Sequence, residues 1–569
     1  MRKRLPYGQS SYNTLINDNF IYVDKTEYIE RLENLHDTFV FFLRPRRFGK
    51  SLFTSVLENY YDINRKDEFE KLFGNTYIGK NSTIEKNSYH VLKFNFSGLN
   101  TNSKDSIEEE FFYRMNEGLD KFMNNYNLDF KYLEKGSAAA VFQSFLNKAS
   151  QNISSPIYVI IDEYDHFANE LLSFKTEMFS EIISKTGFVR KWYEVLKIGT
   201  ESIVKRIFAT GVSPITLDSL TSGFNIASDI TRDSRFNEMM GFTEAEVRNL
   251  IVNTLDNNLK KEELDNLIEE LRKNYNGYLF SESCKTRVFN SDMVLYYLKS
   301  YEDFGHGPRE LIDKNIASDY GKLSAMFDLK NKTANMRVLD NILRGEQVKA
   351  TITSQFSMEK DFDEDDFKSL LFYLGMLTID KERLNRVLLK VPNYAIEGLY
   401  FDFFMKKLNE SVDYELDISE IKEALEDIAL EGKNNALVSI VEKTLNRLSN
   451  RDYIKFDEKY IKLIFLTYCF LSKIYLVKSE YEVEGGYIDI ALLKQVNVEP
   501  TYFAIFELKY IKESEYKEKG EAVVQHHLNE AIKQLKKYES SDELKRIMEL
   551  KKWAIVFVGD KCMANEEIH

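Results

Sequence analysis

Two stretches of this chain combine residue types that hold phosphate groups and divalent cations. In the first, an apolar run (39–43) leads into a basic turn, after which apolar residues recur on one helix face up to residue 61. Between a strand and a helix, a glycine lets backbone N–H groups approach phosphates, a lysine adds a point charge, and a serine hydroxyl can hold Mg²⁺. The turn therefore predicts a nucleotide-binding loop whose contacts are Arg46, Arg47, Phe48, Gly49, Lys50 and Ser51.

A second apolar run (157–161) ends in two carboxylates and supplies the other half of such a site. Asp162 is expected to bind the nucleotide by holding the shell of Mg²⁺, and Glu163 to orient the attacking water as a catalytic residue. The alternatives are an ordinary buried strand capped by two carboxylates and a basic turn without a ligand. Arg44 stands where the standard loop has its first glycine, so the loop departs from that pattern.

Two further pairs of polar residues lie where γ-phosphate contacts could occur. Thr210 lies in a third predicted apolar strand (207–212) and Ser213 follows it, and we favour a role in forming the turn over a role as phosphate sensors. Arg232 and Arg235 precede a helical segment, and we favour solvated side chains over phosphate contacts.

The second stretch whose residue types could carry out chemistry lies near the C-terminus. Strand alternation places Glu507 and Lys509 on one face of a predicted strand, and Asp489 lies on the preceding strand after a Gly-Gly turn. Phosphodiester hydrolysis uses carboxylates that hold one or two Mg²⁺ ions and a lysine that orients the nucleophile or offsets charge. We therefore predict Asp489 and Glu507 as metal ligands and all three as catalytic residues. A surface salt-bridge cluster is the alternative, and Glu480 or Glu482 is a possible additional ligand.

The elements that position these residues predict a multidomain α/β protein. Strands alternating with helices in the first third indicate a parallel sheet with its ligand at the carboxyl ends of the strands. A long helical stretch is predicted from 106 to about 150, and Thr243 with Glu246 forms a capping box at the start of a helical lid. A helix with a β-hairpin near 367–391 predicts a winged-helix-like module, which can read DNA or act as a brace; a nearby acidic run favours the brace.

The predicted domains are a P-loop ATPase-like domain (1–240), a helical lid (241–325), a winged-helix-like module (326–400), a helical connector (401–450) and a nuclease-like α/β domain (451–569). A chain of 569 residues is too long for one hydrophobic core. In the last domain, we expect the strand at 553–558 to close the sheet.

Composition limits the class of protein. The net charge of −14 argues against a surface coated with positive charge for non-specific nucleic-acid binding, although a local basic groove is compatible with it. The three cysteines are far apart and no CxxC pair is present, which predicts neither structural zinc nor a disulfide framework. The sequence contains no signal peptide and no bilayer-spanning run, so we expect a cytoplasmic protein without a membrane partner.

Several motifs resemble a bacterial family described as AAA-ATPase-like. They are the loop RPRRFGKS, the strand IIDEYD, the segments ATGVSPI and GFTEAEV, and the Asn-Gly-Tyr turn at 276–278. In that family the ATPase module is commonly fused to a C-terminal PD-(D/E)XK nuclease-like domain. The family's loop is similar to this one, which implies that the missing first glycine is a family trait.

The C-terminal motifs resemble the PD-(D/E)XK core. The order of Asp489, the Glu507-Leu508-Lys509 strand and a following helix is similar to that core, and the family's QL..Y-type helix signature is matched by Gln534 to Tyr538. The resemblance therefore implies an accessory role for Gln534. Related sequences carry an arginine where this chain has Tyr487, so a phosphate-positioning arginine is expected to be missing.

These observations predict an ATP-binding, nucleotide-gated nuclease that uses Mg²⁺, or Mn²⁺ in its place, to cut DNA, with RNA as another possible substrate. The fusion suggests, by analogy, a role in defence or in mobile-element processing. The alternatives are an ATP-dependent switch or scaffold that binds nucleic acid or a partner without cutting, and an ATPase that works on DNA ends. A homo-oligomer is a possible assembly.

Overall fold

The computed structural model describes residues 2–98, 103–166, 187–214, 227–255, 259–313, 332–356, 363–411, 417–449, 457–495 and 498–569. The chain divides into two compact units. The first comprises residues 1–305, 310–342 and 347–396, and the second comprises 306–309, 343–346 and 397–569.

The first unit is built on a five-stranded sheet in which every pairing is parallel. Its strands are β1 (Phe39–Leu43), β2 (His90–Asn95), β3 (Ile157–Asp162), β4 (Val204–Gly211) and β5 (Ala227–Asp229). They lie in the order β2-β3-β4-β1-β5, with all residues of β1 and β3 buried. Strands covered on both faces have to be apolar throughout, which explains the two uninterrupted apolar runs. The predicted α/β fold class with a parallel sheet is confirmed.

Helices surround this sheet and continue beyond it. Those before β4 are Tyr12–Asn17, Glu27–Glu33, Lys50–Tyr61, Phe69–Phe73, Tyr77–Lys80, Lys104–Asn125, Ala138–Asn152 and Phe188–Thr200, with a 3₁₀ helix at Ile63–Glu68. Those after β5 are Glu244–Thr254, Lys261–Tyr275, Ser291–Phe304, Lys332–Leu343, Glu364–Tyr373 and the start of Tyr394–Ser411, with a 3₁₀ helix at Ser234–Phe236.

The helical stretch predicted from 106 to about 150 forms as two helices, Lys104–Asn125 and Ala138–Asn152. Asn127 has a left-handed φ of 51°, which an α-helix cannot continue through, and Ser137 caps the second helix by accepting a hydrogen bond from the Ala140 N–H. The capping box of Thr243 and Glu246 is confirmed, since each side chain accepts from the other's backbone N–H.

The predicted helix and hairpin form in the region after residue 347. Strands β6 (Val348–Ala350), β7 (Thr378–Arg383) and β8 (Arg386–Lys390) make an antiparallel sheet in the order β6-β8-β7, beside the helix Glu364–Tyr373. The turn of the hairpin is short, because β7 runs to Arg383 and Leu384 and Asn385 separate the two strands. That this helix and sheet act as a winged-helix module remains a prediction.

The second unit contains a mixed five-stranded sheet. Its strands are β9 (Tyr475–Val483), β10 (Gly486–Lys494), β11 (Phe503–Ile511), β12 (Leu550–Val558) and β13 (Lys561–Glu567), in the order β13-β12-β11-β10-β9. Only β11 and β12 pair in parallel, across the connection that carries the helices Glu513–Lys519, Glu521–Tyr538 and Asp542–Lys545. The remaining helices are Ile418–Glu431, Asn435–Ser449 and Glu458–Ser472, with the rest of Tyr394–Ser411.

The expectation that 553–558 is the last strand of this sheet is wrong. β13 pairs antiparallel with β12 and forms the edge. Its sequence, KCMANEE, has few of the apolar residues that mark a strand, because an edge strand is covered less than a central one.

No helix within the described residues is long and apolar enough to cross a membrane. All three cysteines, Cys284, Cys469 and Cys562, are free thiols, which agrees with the expected lack of a disulfide framework.

The core of the first unit is centred on an aromatic cluster. Trp192, fully buried on the helix Phe188–Thr200, has ring centroids of Phe94, Phe96, Phe111 and Phe142 within 5.0 to 5.7 Å. The indole therefore joins β2 to three helices.

We expect Trp192→Ala to lower the free energy of unfolding of this unit by about 3–5 kcal/mol, because it removes a large buried side chain and leaves a cavity. Thermal unfolding followed by far-UV circular dichroism measures the change. Ile198→Ala on the same helix, where the side chain is 50% exposed, is the matched control and should shift stability by less than about 0.5 kcal/mol. Equal effects of the two substitutions would contradict this account of the core.

Candidate functional site

The first candidate site is the loop between β1 and the helix Lys50–Tyr61. Gly49 caps that helix with a left-handed φ of 93°, and no side chain caps it. A glycine is needed at this φ, and an uncapped helix N-terminus presents N–H groups and positive potential to an anion. The Lys50 ammonium is buried and donates to the backbone carbonyls of Arg44 and Pro45, both at 3.0 Å. Lysine, glycine and helix end thus converge at one point of the loop.

Arg44 has a structural role at the position of the missing glycine. Its guanidinium is 1% exposed and donates to the carbonyls of Leu43 (2.9 Å), Thr231 (2.8 Å) and Phe236 (3.0 Å). The same group lies 4.1 Å and 4.0 Å from the ring centroids of Phe42 and Phe280. Arginine therefore anchors the start of the loop to the segment that follows β5, which a glycine cannot do.

The rest of the loop is held by the segments that carry the GFTEAEV and Asn-Gly-Tyr motifs. The carbonyl of Phe48 accepts from the Gly241 N–H (3.2 Å) and the Ser291 hydroxyl (3.3 Å), and its buried ring packs edge-on against Tyr278. The carbonyl of Arg46 accepts from the Asn290 amide at 3.3 Å. Arg47 has a left-handed φ of 70° and forms a long ion pair with Asp292 at 3.8 Å. Arg46 and Arg47 are the more exposed residues of the loop.

The structure brings the two predicted carboxylates of the first third next to this loop. Asp162 is 1% exposed and hydrogen-bonded to Ser51, and burial raises its pKa. Its Oδ1 atom is buried and has no hydrogen-bond partner among the described residues. Glu163, with a left-handed φ of 52°, pairs with His166 at 3.2 Å. Burial alone would raise the pKa of Glu163, but the His166 hydrogen bond and the Lys50 charge outweigh it and lower that pKa to about 2.

Burial lowers the pKa of Lys50, and the charges of Glu163, Asp165 and Asp162 oppose that change. The ammonium and the carboxylates therefore share one buried site. A buried carboxylate oxygen without a donor, beside a serine hydroxyl and a lysine, fits a hard cation that carries phosphate oxygens.

The polar residues near β4 serve the fold. Thr210 donates from its hydroxyl to the Phe42 carbonyl at 2.7 Å, and Ser213 donates its N–H to Asp165 at 2.6 Å. The favoured turn-forming role is wrong for Thr210, which lies within β4 and bonds to the neighbouring strand β1, whereas Ser213 lies in the segment after β4. Arg232 pairs with Glu282 at 2.7 Å and is partly exposed, and Arg235 pairs with Asp233 at 2.6 Å with its side chain 61% exposed.

A cavity of about 500 Å³ adjoins the loop and extends away from Lys50 and Glu163. Its other walls come from the N-terminal segment around Pro6 and Tyr22 and from Met240 and Leu295. Lys25 attaches that segment to the helix Glu244–Thr254 by donating to Glu246 at 2.8 Å. Sequence reasoning missed this wall, although the Pro-Tyr-Gly turn at 6–8 and the apolar residues after it are a local signal.

The second candidate site lies on β10 and β11. The pairs Ile490↔Phe506 and Ala491↔Ile505 place Asp489 level with Glu507 on neighbouring strands. The Asp489 Oδ2 atom accepts from the Leu508 N–H at 2.9 Å, and the Glu507 Oε1 atom accepts from the Lys509 ammonium at 3.1 Å. The structure therefore brings together the aspartate, glutamate and lysine predicted from the sequence.

Both carboxylates are buried, Asp489 at 9% and Glu507 at 2% exposure. Burial and the charge of Asp489 raise the pKa of Glu507 to about 7, while Lys509 lowers it in part. The Glu507 Oε2 atom is buried and has no hydrogen-bond partner among the described residues. Two close carboxylates, one with an orphaned oxygen, fit a divalent cation, because Mg²⁺ is commonly held by one or two protein carboxylates.

The helix Glu458–Ser472 adds two residues that sequence reasoning missed. Lys462 is buried, with its ammonium 3.5 Å from the Asp489 Oδ1 atom and in contact with Glu480. Glu458 is one helical turn earlier, and burial together with the Asp489 charge raises its pKa, which Lys509 opposes. A lysine within the apolar run 461–466 was the available signal, since lysine is rarely buried without a partner.

The possible accessory residues divide into near and distant ones. Glu480 reaches the site through Lys462, whereas Glu482 is exposed and opposite Tyr487 in the β9–β10 register. Gln534 lies on the helix that covers β11 and β12, and its Oε1 atom is buried with no partner among the described residues. Tyr538, on the same helix, donates to the Tyr487 carbonyl at 3.0 Å.

Within the parts of the chain that are described, no three or more His, Cys, Asp and Glu side chains form a cluster that could hold a metal ion. The second site therefore presents a pair of carboxylates with two lysines around them.

The parallel-sheet unit with its glycine-lysine-serine loop has the architecture of an ATPase-like domain, and the mixed sheet with Asp489 and Glu507 has that of a nuclease-like domain. Residues 6–221 match the family model described as "Predicted AAA-ATPase", and residues 456–567 match that of the PD-(D/E)XK nuclease superfamily. The predicted fusion of these two domains is thereby confirmed.

One relative is the "Uncharacterized protein in vnfD 5'region" of Azotobacter chroococcum mcd 1, which is 28% identical over 299 residues. The match covers 52% of this chain and 52% of that protein, so it spans about half of each.

We expect Arg44→Ala to lower the free energy of unfolding by about 3 kcal/mol or more, because it leaves buried carbonyls without their charged donor. Urea unfolding followed by the fluorescence of Trp192, in a Trp553→Phe background that removes the other tryptophan, measures the change. Arg235→Ala is the control, since its side chain is 61% exposed and its ion pair contributes less than about 1 kcal/mol. A loss no larger than the control's would show that Arg44 does not anchor the loop.

Proposed function

We propose that this chain is an ATP-binding, nucleotide-gated nuclease that hydrolyses the phosphodiester bonds of DNA in a metal-dependent reaction. The proposal rests above all on the buried pair of Asp489 and Glu507 beside Lys509, in which one carboxylate oxygen has no donor among the described residues. RNA is the alternative substrate. By analogy with such fusions, we further propose a cytoplasmic role in defence or in mobile-element processing, with a homo-oligomer as the possible assembly.

In the first site, the chain's own residues bind and orient the nucleotide. The helix N-terminus at Gly49 and the Lys50 ammonium neutralise phosphate charge, and Ser51 with Asp162 would hold Mg²⁺. Glu163 is ionised at neutral pH, because Lys50 and His166 lower its pKa, and can accept a hydrogen bond from a water. The cavity next to the loop has room for the base and the sugar.

In the second site, Asp489 and Glu507 would hold Mg²⁺ or Mn²⁺, which when bound polarises a phosphoryl oxygen and lowers the pKa of a bound water. The Leu508 N–H fixes the orientation of Asp489. Lys509 lies beside Glu507 and can hold the attacking water or offset the negative charge that develops on the phosphate.

A second candidate function is a non-catalytic, ATP-dependent switch or scaffold whose nuclease-like domain binds nucleic acid or a partner. Two features favour it: the described residues hold no three-ligand metal cluster, and Tyr487 occupies the position at which the resemblance to the nuclease family implies an arginine.

We expect Asp489→Asn and Glu507→Gln each to reduce Mg²⁺-dependent cleavage by at least about 100-fold. Removing a residue that only orients a metal ligand already lowers activity by up to about 100-fold, and removing the ligand itself should lower activity at least as much. The measurement uses single-stranded and double-stranded DNA and RNA, with and without ATP, with chelation by EDTA as the metal-free reference. Glu518→Gln, an exposed carboxylate in the same domain, is the control. Cleavage that survives both substitutions would exclude this site, and binding without any cleavage by the unaltered chain would favour the scaffold.

We expect Lys50→Ala to weaken ATP binding by roughly 10- to 100-fold, because it removes a charge-assisted contact worth about 1.5–3 kcal/mol. Titration with a fluorescent ATP analogue measures the dissociation constant. Lys191→Ala replaces an exposed lysine of the same unit and should leave the constant unchanged. Unchanged ATP affinity in Lys50→Ala would contradict the nucleotide site. Cleavage that does not depend on ATP would contradict only the proposed gating by nucleotide.

A further inference from the structure

A second lysine lies at the carboxylate pair, and it comes from a different element than the strand lysine. Lys462 projects from the helix Glu458–Ser472, and its side chain is only 10% exposed. Its ammonium lies 3.5 Å from the Asp489 Oδ1 atom and contacts the carboxylate of Glu480. A buried ammonium must be neutralised by nearby carboxylates, and these two are its counter-ions.

The oxygens of the pair are unequally engaged. The two oxygens of Asp489 face the Lys462 ammonium and the Leu508 N–H, and the Oε1 atom of Glu507 faces the Lys509 ammonium. Of the four oxygens of this pair, the Oε2 atom of Glu507 is the one that has no hydrogen-bond partner among the described residues. The pair therefore offers one buried oxygen without a partner to a cation. Two neighbouring cations would need several such carboxylate oxygens.

The charges around the pair also indicate a single divalent cation. With all four carboxylates ionised, the state that a bound cation favours, Glu458, Glu480, Asp489 and Glu507 contribute four negative charges, and Lys462 and Lys509 contribute two positive ones. One divalent cation neutralises the remainder. Two-metal sites for phosphoryl transfer place their ions about 3.5–4 Å apart, so a second ion would compete with the Lys462 ammonium for Asp489.

We propose that Lys462 is a positioning residue that takes the place of a second metal ion and limits the nuclease-like centre to one divalent cation. The inference rests on the proposed metal-dependent function and defines its metal stoichiometry. In this arrangement Lys462 orients Asp489 toward a single cation shared with Glu507.

The test counts Mn²⁺ ions bound to the full chain without nucleotide, using the electron paramagnetic resonance signal of free Mn²⁺. The double variant Asp489→Asn with Glu507→Gln gives the ions bound elsewhere, including any at the phosphate-binding loop, and the difference gives the ions at the centre. For the number of ions at the centre after this subtraction, we expect one in the unaltered chain and two in Lys462→Met. We expect one in Lys462→Arg, which restores the fixed positive charge. Lys459→Met, one helical turn away and exposed, is the matched control and should give one ion.

The outcomes separate this inference from the function on which it rests. A difference of zero between the unaltered chain and the double variant would overturn the metal centre and the inference together. Two ions in the unaltered chain would leave the metal centre standing and overturn the inference, even if Lys462→Met failed to fold. One ion in a folded Lys462→Met, checked by circular dichroism, would show that the lysine does not exclude the second ion.

Discussion

β4 lies between β1 and β3 and pairs in parallel with both, and the first site depends on this arrangement. Neighbouring strands lie about 4.8 Å apart, so the loop after β1 and the carboxylates after β3 are separated by the width of one strand. The pairs Leu43↔Gly211 and Ile161↔Ala209 bring both strands to an end at the same edge. A different strand order would separate Lys50 from Asp162 without any change in either local motif.

Charges removed from water are the second recurring feature, and each of them has identifiable partners. Arg44 is neutralised by carbonyl dipoles and ring faces, Lys50 by carbonyls and by the carboxylates after β3, and Lys462 by Asp489 and Glu480. A buried charge that loses its partner costs several kcal/mol, so these groups keep one geometry. The atoms that lack a partner among the described residues, Asp162 Oδ1 and Glu507 Oε2, lie where a cation would satisfy them.

Both units place carboxylates close to positive charge, but they do so with different backbone arrangements. In the parallel sheet, a loop and a helix N-terminus supply the positive potential, and the carboxylates lie at the end of β3, with β4 between β3 and β1. In the mixed sheet, carboxylates and one lysine lie within the strands, and a helix on the same unit adds a further lysine. The first arrangement suits a triphosphate that lies along backbone N–H groups, and the second suits a phosphodiester that approaches a sheet.

The sequence by itself determined the local features: the apolar run before Gly49-Lys50-Ser51, the capping box at Thr243, and the alternation that places Glu507 and Lys509 on one face. These depend on residues within a few positions of one another. Only the tertiary structure decided that Arg44 anchors the loop to Thr231 and Phe236, that Lys462 faces Asp489, and that β13 forms the edge of its sheet. The partners in those contacts are distant in the chain or lie on another element, and burial rather than local propensity selects them, so no short-range pattern records them.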